Sequence, residues 1–344
     1  MRKNVQLFIG LGVSLLALAL AFRGANLGVM ADALRKANYF LLLVGVMFYV
    51  LGLLFRALSW RVILGGRVPF WRVFDALNEG YLLNNLLPFR LGEFGRAYLI
   101  SQRNDLPPFE ALSSIVVERV IDLLMVVLLL LIFLPLIASV EADRAAVLSS
   151  IALAVIAVVA LVIVARNQDR MARLVGRVLL YLHFPWLRPD VWEARAASFL
   201  AGLGALRDAG RAARACLFSF LAWAAAGAGS WVILNALVPG ASATMAFVTL
   251  ALVGIGGAVP SAPGSAGVFE FVIVNSLAIF NVDKSVALSF GLVLHAVNFL
   301  LAVSLGGIAL AREGETVTHL ARSAQALLAS TRRSETPEAA APKE

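Results

Sequence analysis

Long apolar runs separated by short charged stretches dominate the chain, and two regions break that pattern with Pro, Gly and an acidic residue together. Val5 to Phe22 is uninterrupted by charge and, at ~1.5 Å per residue, reaches roughly 27 Å, close to the hydrocarbon thickness of a bilayer. Further spans are predicted at about Tyr39 to Leu58, Ser113 to Leu136, Val147 to Ala165, Leu217 to Val238 and Ser285 to Ala311. A short amphipathic stretch, Gly28 to Ala37, follows the first. Phe70 to Leu87 is mildly apolar, yet it carries Asp75, Asn78, Glu79, Asn84 and Asn85, too many polar groups to face lipid. It reads as one arm of a buried or re-entrant hairpin, with Pro88 to Glu93 at the tip and Phe94 to Gln102 as the other arm. Ala243 to Val259 and Gly267 to Phe280 are short for spans and flank the second break, Pro260 to Glu270, so they read as a second hairpin. The fold class is therefore an all-α polytopic membrane protein with about six full spans and two broken hairpins, near 70–102 and 243–281.

Composition agrees with the pattern: 61% of the 344 residues are hydrophobic and 15% charged, with a mean hydropathy of +0.88. The net charge of +8 comes from Arg gathered at segment ends. That placement is topogenic and gives no reason to expect a nucleic-acid partner. Region 166–214 holds nine Arg and no Lys, which puts it in the cytoplasm, as it does the loop assigned Arg56, Arg61, Arg67 and Arg72. Glu141-Ala142-Asp143 falls outside, and both termini fall inside. Residues 1–311 form one membrane domain whose basic start, Arg2-Lys3, precedes a retained anchor. Residues 312–344 read as a disordered cytoplasmic tail. The lone Cys216 excludes an internal disulfide.

Candidate chemistry concentrates at the breaks. Arg90 and Arg96 flank Glu93, just after Asn84 and Asn85, and a guanidinium fork suits phosphate or carboxylate. Gly92 would let backbone amides approach an anion. The structural alternative is that Glu93 pairs with Arg90 or Arg96 and only holds the hairpin. Glu118, Arg119 and Asp122 form a second group: the acids share a helical face and Arg119 reaches Asp122 at i,i+3. They read either as interfacial charge or as partners for Arg90 or Arg96. Pro263, Gly264, Gly267 and Glu270 form a third, where small residues permit close backbone approach and Glu270 balances a cation or proton; its alternative is a packing kink. His295 and Asn298, one turn apart in the last span, rank below these. Three scattered His make no metal site, no phosphate-binding Gly-Lys-Ser/Thr loop or nucleophile elbow is present, and no cofactor is expected.

Asn84 to Glu93 with Arg96 to Leu99, then Val116 to Asp122, then the Pro-Gly-x-x-Gly-x-x-Glu core of Pro260 to Glu270 resemble the lysylphosphatidylglycerol synthase transmembrane, or flippase-like, family, also called UPF0104. The resemblance covers about Val5 to Ala311. It implies a multi-pass prokaryotic plasma-membrane protein with two re-entrant hairpins, in a family with members linked to moving lipids between leaflets. Aminoacylating members carry a soluble transferase domain after the membrane part; none follows here, so aminoacyl transfer is not expected. The family often carries an Arg in the last span at the place of His295.

The leading expectation is a lipid translocator for a phospholipid or lipid-linked anionic compound, with substrate-binding residues Asn84, Asn85, Arg90, Glu93, Arg96, Glu118, Arg119, Asp122, Pro263, Gly264, Gly267 and Glu270. Its partners would be membrane lipids with anionic headgroups, with a second copy or a lipid-metabolism enzyme as protein partner. The alternatives are a membrane-embedded transferase using Glu93 or Asp122 as a base, and an accessory protein without transport of its own.

Overall fold

A computed structural model of the protein describes residues 2–87, 91–104, 106–133, 136, 208–257, 259 and 261–314, with side chains from residue 11 onward. The predicted span Val147–Ala165, the acidic loop at 141–143, most of the basic region 166–214, the tail beyond 314, and Pro88, Phe89, Arg90 and Pro260 lie outside the described residues.

Ten α-helices make up the described part: α1 Arg2–Phe22, α2 Leu27–Lys36, α3 Tyr39–Ile63, α4 Phe70–Leu86, α5 Leu91–Arg103, α6 Pro108–Phe133, α7 Ala209–Leu237, α8 Ala243–Gly256, α9 Val268–Ala278 and α10 Lys284–Glu313. A 3₁₀ turn, Pro263–Ser265, joins α8 to α9. Among the described residues α3, α7 and α10 are long and apolar enough to cross a bilayer, with a fourth span if α1 and α2, bent by 81° at Arg23 to Asn26, count as one. The 26-residue α6 is long enough, but Glu118, Arg119 and Asp122 interrupt its apolar character.

Side chains between the helices define several helix starts. Asn26 accepts from the Gly28 and Val29 amides, Asn38 from Phe40 and Leu41, and Asp283 from Ser285 and Val286, each satisfying donors that a helix start leaves free. Lys284 Nζ donates to the Leu20 and Arg23 carbonyls at 3.0 and 2.6 Å, closing the end of α1. Several boundaries differ from the sequence expectation: α3 runs past Leu58 to Ile63, taking in Arg61, and α6 starts at Pro108, ahead of Ser113. Arg211 and Arg214 belong to α7, which starts at an Asp208 cap, and Arg312 and Glu313 belong to α10 because they find partners on α4 and α5.

Small residues set the helix spacing. α3 and α7 form the most extensive pairing, where a Cβ on Gly45 would lie 2.4 Å from the Ile233 side chain and one on Gly229 2.9 Å from the Gly45 carbonyl. Lipid supplies no hydrophobic drive for such contacts, so close packing and interhelical hydrogen bonds hold them. Tyr49 and Ser230 hydroxyls meet at 2.8 Å across this seam. One hydrophobic cluster fills the space among α3, α4, α5 and α6 around Trp60, Leu77 and Ile100. A second lies among α7, α9 and α10 around Ile233, Ile273 and Phe290.

Both predicted hairpins are present as helix pairs. In the first, α4 and α5 approach so closely that a Cβ on Gly92 would fall 1.9 Å from the Gly80 carbonyl. The Gly92 amide is taken by Asn84 Oδ1 at 2.9 Å, so this glycine serves packing in place of the anion contact expected for it. Asp75, Asn78 and Glu79 are buried, as an arm enclosed by protein requires. In the second, Gly264 and Gly267 adopt φ of 68° and 86°, in the left-handed region that glycine tolerates. A Cβ on Gly267 would also meet the Ser14 carbonyl of α1 at 2.2 Å, and Ser14 Oγ accepts from the Ala262 amide at 2.7 Å, tying the break to α1.

Candidate functional site: a charged cavity between the two hairpins

The hairpins meet. The 3₁₀ turn of the second packs on α4 of the first, close enough that a Cβ on Gly264 would sit 3.0 Å from Asn85 Oδ1. Beside this junction lie two adjoining cavities of about 610 and 580 Å³. Both are lined by Tyr81 and Asn85 of α4, Arg119 of α6 and Asn298 of α10, so they are lobes of one space. The first lobe adds Arg56, Asn78 and Asp122 to apolar walls such as Leu53, Leu250 and Leu301. Asn84, Glu93, Arg96 and His295 line the second, against Val259, Phe269 and Val272.

Three guanidinium groups converge on two carboxylates at one side of this space. Arg96 Nη1 donates to Glu118 Oε2 at 2.9 Å, and Arg119 Nη2 to Glu118 Oε1 at 2.6 Å. Arg56 Nη1 donates to Asp122 Oδ2 at 2.8 Å and to Glu118 Oε1 at 3.3 Å. Asp122 Oδ2 also lies 3.2 Å from Arg119 Nη2, while its Oδ1 accepts from Trp223 Nε1 at 2.9 Å. The Arg96 guanidinium stacks 4.7 Å from the Trp60 ring, whose indole N–H donates to Ser114. Charge-assisted bonds of this density offset desolvation that would otherwise neutralise or expel the groups.

One donor is left over. Arg119 Nε is buried with no hydrogen-bond partner among the described residues, and Glu93 Oε1 stands 3.9 Å away. Asn78, 1% exposed, likewise leaves its Oδ1 unpartnered while its amide nitrogen donates to the Phe74 carbonyl. Arg119 and Asn78 both line the first lobe, so the orphan donor and the orphan acceptor belong to side chains of its wall, and buried polar atoms left unpaired call for a partner.

Across the cavity from this cluster, Glu270 Oε2 accepts from the Gly267 amide at 2.7 Å and Oε1 lies 2.5 Å from His295 Nδ1. A third charged group sits beyond the cavity. Arg103 of α5 donates to Glu79 at 3.0 and 3.4 Å and lies 3.7 Å from Glu313, while Arg312 lies 3.6 Å from Asp75, so the open end of the first hairpin is tied to the end of α10.

Of the residues singled out in sequence, Asn84, Asn85, Glu93, Arg96, Arg119, Asp122, Pro263 and Gly264 line the space. Glu118 stands behind it as the shared acceptor, Gly267 is a packing position against α1, and Glu270 orients His295. Arg90 lies outside the described residues. Glu118 is ten residues past Pro108, about 15 Å along the helix axis, and 3% exposed, so it is enclosed by protein. Glu93 does not pair with Arg96, which Glu118 engages instead. Arg56 is corrected as well: it lies inside α3, drawn in by the two carboxylates, and not in a basic loop. Its signal was its position, several residues before the end of an apolar run. Trp223 gave no comparable sign, since a Trp in an apolar helix is ordinary, and Asn78 stood out only as one of the polar groups of the first hairpin's arm.

Helices α3 to α10 packed around a charged cavity, with three or four of the described helices long and apolar enough to cross a bilayer, define a multi-pass helical membrane protein. The chain matches the family described as lysylphosphatidylglycerol synthase TM region over residues 7–306, and it belongs to that family. No match was found among curated proteins.

Proposed function

We propose that the protein is a lipid translocator that carries the anionic headgroup of a phospholipid or lipid-linked compound through the cavity between its hairpins. The observation that carries this reading is Arg119, which lines both lobes: its Nη2 is held by Glu118 and Asp122, while its buried Nε has no acceptor among the described residues. A phosphate oxygen at Nε gains a charge-assisted bond, and Glu93 at 3.9 Å is the carboxylate it would supplant. Apolar walls in both lobes suit the glyceride end of the same molecule. In this reading the chain crosses a prokaryotic plasma membrane six times with both termini in the cytoplasm, and membrane lipids are its partners.

The test is a proteoliposome assay with acyl-labelled fluorescent phosphatidylglycerol and an external quencher. Wild-type protein is expected to expose inner-leaflet label, and Arg119→Gln to slow that exposure roughly tenfold, the equivalent of one lost charged hydrogen bond. Exposure no faster than in protein-free vesicles, or equal in wild type and variant, would sink the assignment.

A further inference from the structure

The second break carries a titratable pair that headgroup binding at Arg119 does not use. Glu270 is 3% exposed, and its two oxygens are engaged by the Gly267 amide and by His295 Nδ1. A carboxylate only accepts, so Nδ1 carries the hydrogen and the lone pair of the neutral ring resides on Nε2. Among the described residues no hydrogen bond engages Nε2. The ring lines the second lobe with its side chain 20% exposed, and Nε2 lies 3.6 Å from where a Gly264 Cβ would be. The Phe269 ring flanks it with centroids 5.2 Å apart. Gly264 therefore leaves room in front of the one imidazole atom able to take up a proton.

Resting on the translocator reading, we propose that His295 Nε2 is a proton-binding site of the cavity and that its proton travels with the anionic headgroup.

The charges around the lobe set the direction of coupling. With the ring neutral, the Glu270–His295 pair contributes one negative charge; with Nε2 protonated, it contributes none and presents a new N–H donor. Among the described residues, Glu93 and Arg96 of α5 and Arg119 of α6 are the other charged groups lining this lobe, and Tyr81 of α4 is its other titratable one. From α1 comes the Ser14 hydroxyl, and from α4 the Asn84 and Asn85 amides. Asp75 and Glu79 of α4 are engaged by Arg312 and Arg103 at the far end of α10. On α2, Asp32 pairs with Lys36, and at the start of α10, Asp283 caps the helix while Lys284 caps α1. Proton uptake at Nε2 thus makes the lobe more favourable to an anion. By linkage an anion favours the protonated ring by the same factor, about 5- to 150-fold for couplings of ordinary size. One proton bound to the Nε2 lone pair on one side and released on the other, moving with a monoanionic headgroup, transfers no net charge.

Two measurements test this. The chain has three histidines, His183, His295 and His319, so ¹⁵N-histidine-labelled protein in nanodiscs gives few signals, and His295→Gln assigns the relevant one. Its titration midpoint is expected to rise by roughly one pH unit when short-chain phosphatidylglycerol is added, as a tenfold coupling requires. In proteoliposomes, an imposed pH gradient is expected to drive net movement of labelled phosphatidylglycerol in the direction of proton flow, with a matching signal from an internal pH dye, and His295→Gln is expected to lose that dependence. A midpoint unmoved by the lipid, or movement of the same rate and extent with and without the gradient, would overturn the proton site while leaving the translocator standing. Absence of any movement by wild-type protein would instead overturn the translocator reading, and co-transport with it.

Discussion

Arg96 of the first hairpin and Glu118 of α6 meet 2.9 Å apart, and both side chains are 3% exposed. Both groups are buried, and each is held by the other and by the groups around it: Arg119 and Arg56 on Glu118, the Trp60 ring under Arg96. Removing one partner of a buried pair strands the other charge, typically at a cost of about 3–5 kcal/mol. Arg96→Ala is therefore expected to lower thermal stability in detergent by an amount in that range. The double variant Arg96→Met with Glu118→Gln is expected to recover part of the loss, read by thermal unfolding.

Gly92 sits against α4 with no room for a side chain, since its Cβ would lie 1.9 Å from a backbone oxygen that cannot rotate away. Gly92→Ala is expected to prise the first hairpin apart, with a loss of at least about 1–3 kcal/mol, the usual range for an overpacked contact. Gly307→Ala, where nothing lies within 4 Å, is the control and is expected to be neutral or slightly stabilising. Comparing the yield of monodisperse protein and the melting temperature of the two variants checks the claim.

Tyr49 and Ser230 share a hydrogen bond across the α3–α7 seam, and Ser230 is 1% exposed. Tyr49→Phe keeps the ring and deletes the hydroxyl. Interhelical bonds of this kind contribute about 0.6 kcal/mol on average and up to about 1.7, so a modest fall in melting temperature is expected. A Tyr49→Phe, Ser230→Ala double-mutant cycle measures the coupling directly.

Glu79 is fully enclosed and accepts two bonds from Arg103, which also approaches Glu313. Arg103→Gln is expected to destabilise the protein by about 3–5 kcal/mol, as breaking a buried pair does. It should also release the end of α10 from the hairpin, seen as faster hydrogen exchange in the last turns before Gly314. Unchanged exchange there would show that the clamp does not hold the helix end.

The helices and the two breaks were legible in the chain because they rest on short-range rules. The Asn26, Asn38 and Asp283 caps, the crowding of Asn and acids between Asp75 and Asn85, and the Pro-Gly clusters announce themselves within a few residues. Pairing was only partly legible. An ion pair between Arg96 and an acid of the Glu118 group was expected, since both lie in adjoining elements. Arg56, more than sixty positions from Asp122, was assigned to a loop because position along the chain does not say which helices will touch. The Trp223 bond to Asp122, a hundred and one positions apart, is of the same kind.

The sequence by itself determined that the chain is a multi-pass helical membrane protein, where its apolar pattern breaks, and which charged side chains lie in those breaks, because hydropathy and helix capping act over a turn or two. Only the tertiary structure decided that the two breaks face one cavity, that Glu118 and Asp122 are shared by three arginines, that Arg119 keeps a free donor, and that Glu270 aims His295 into the same space. Those relationships depend on how closely backbones approach at Gly45, Gly80, Gly92 and Gly267, and helix packing brings together residues far apart along the chain, such as Gly267 and Ser14.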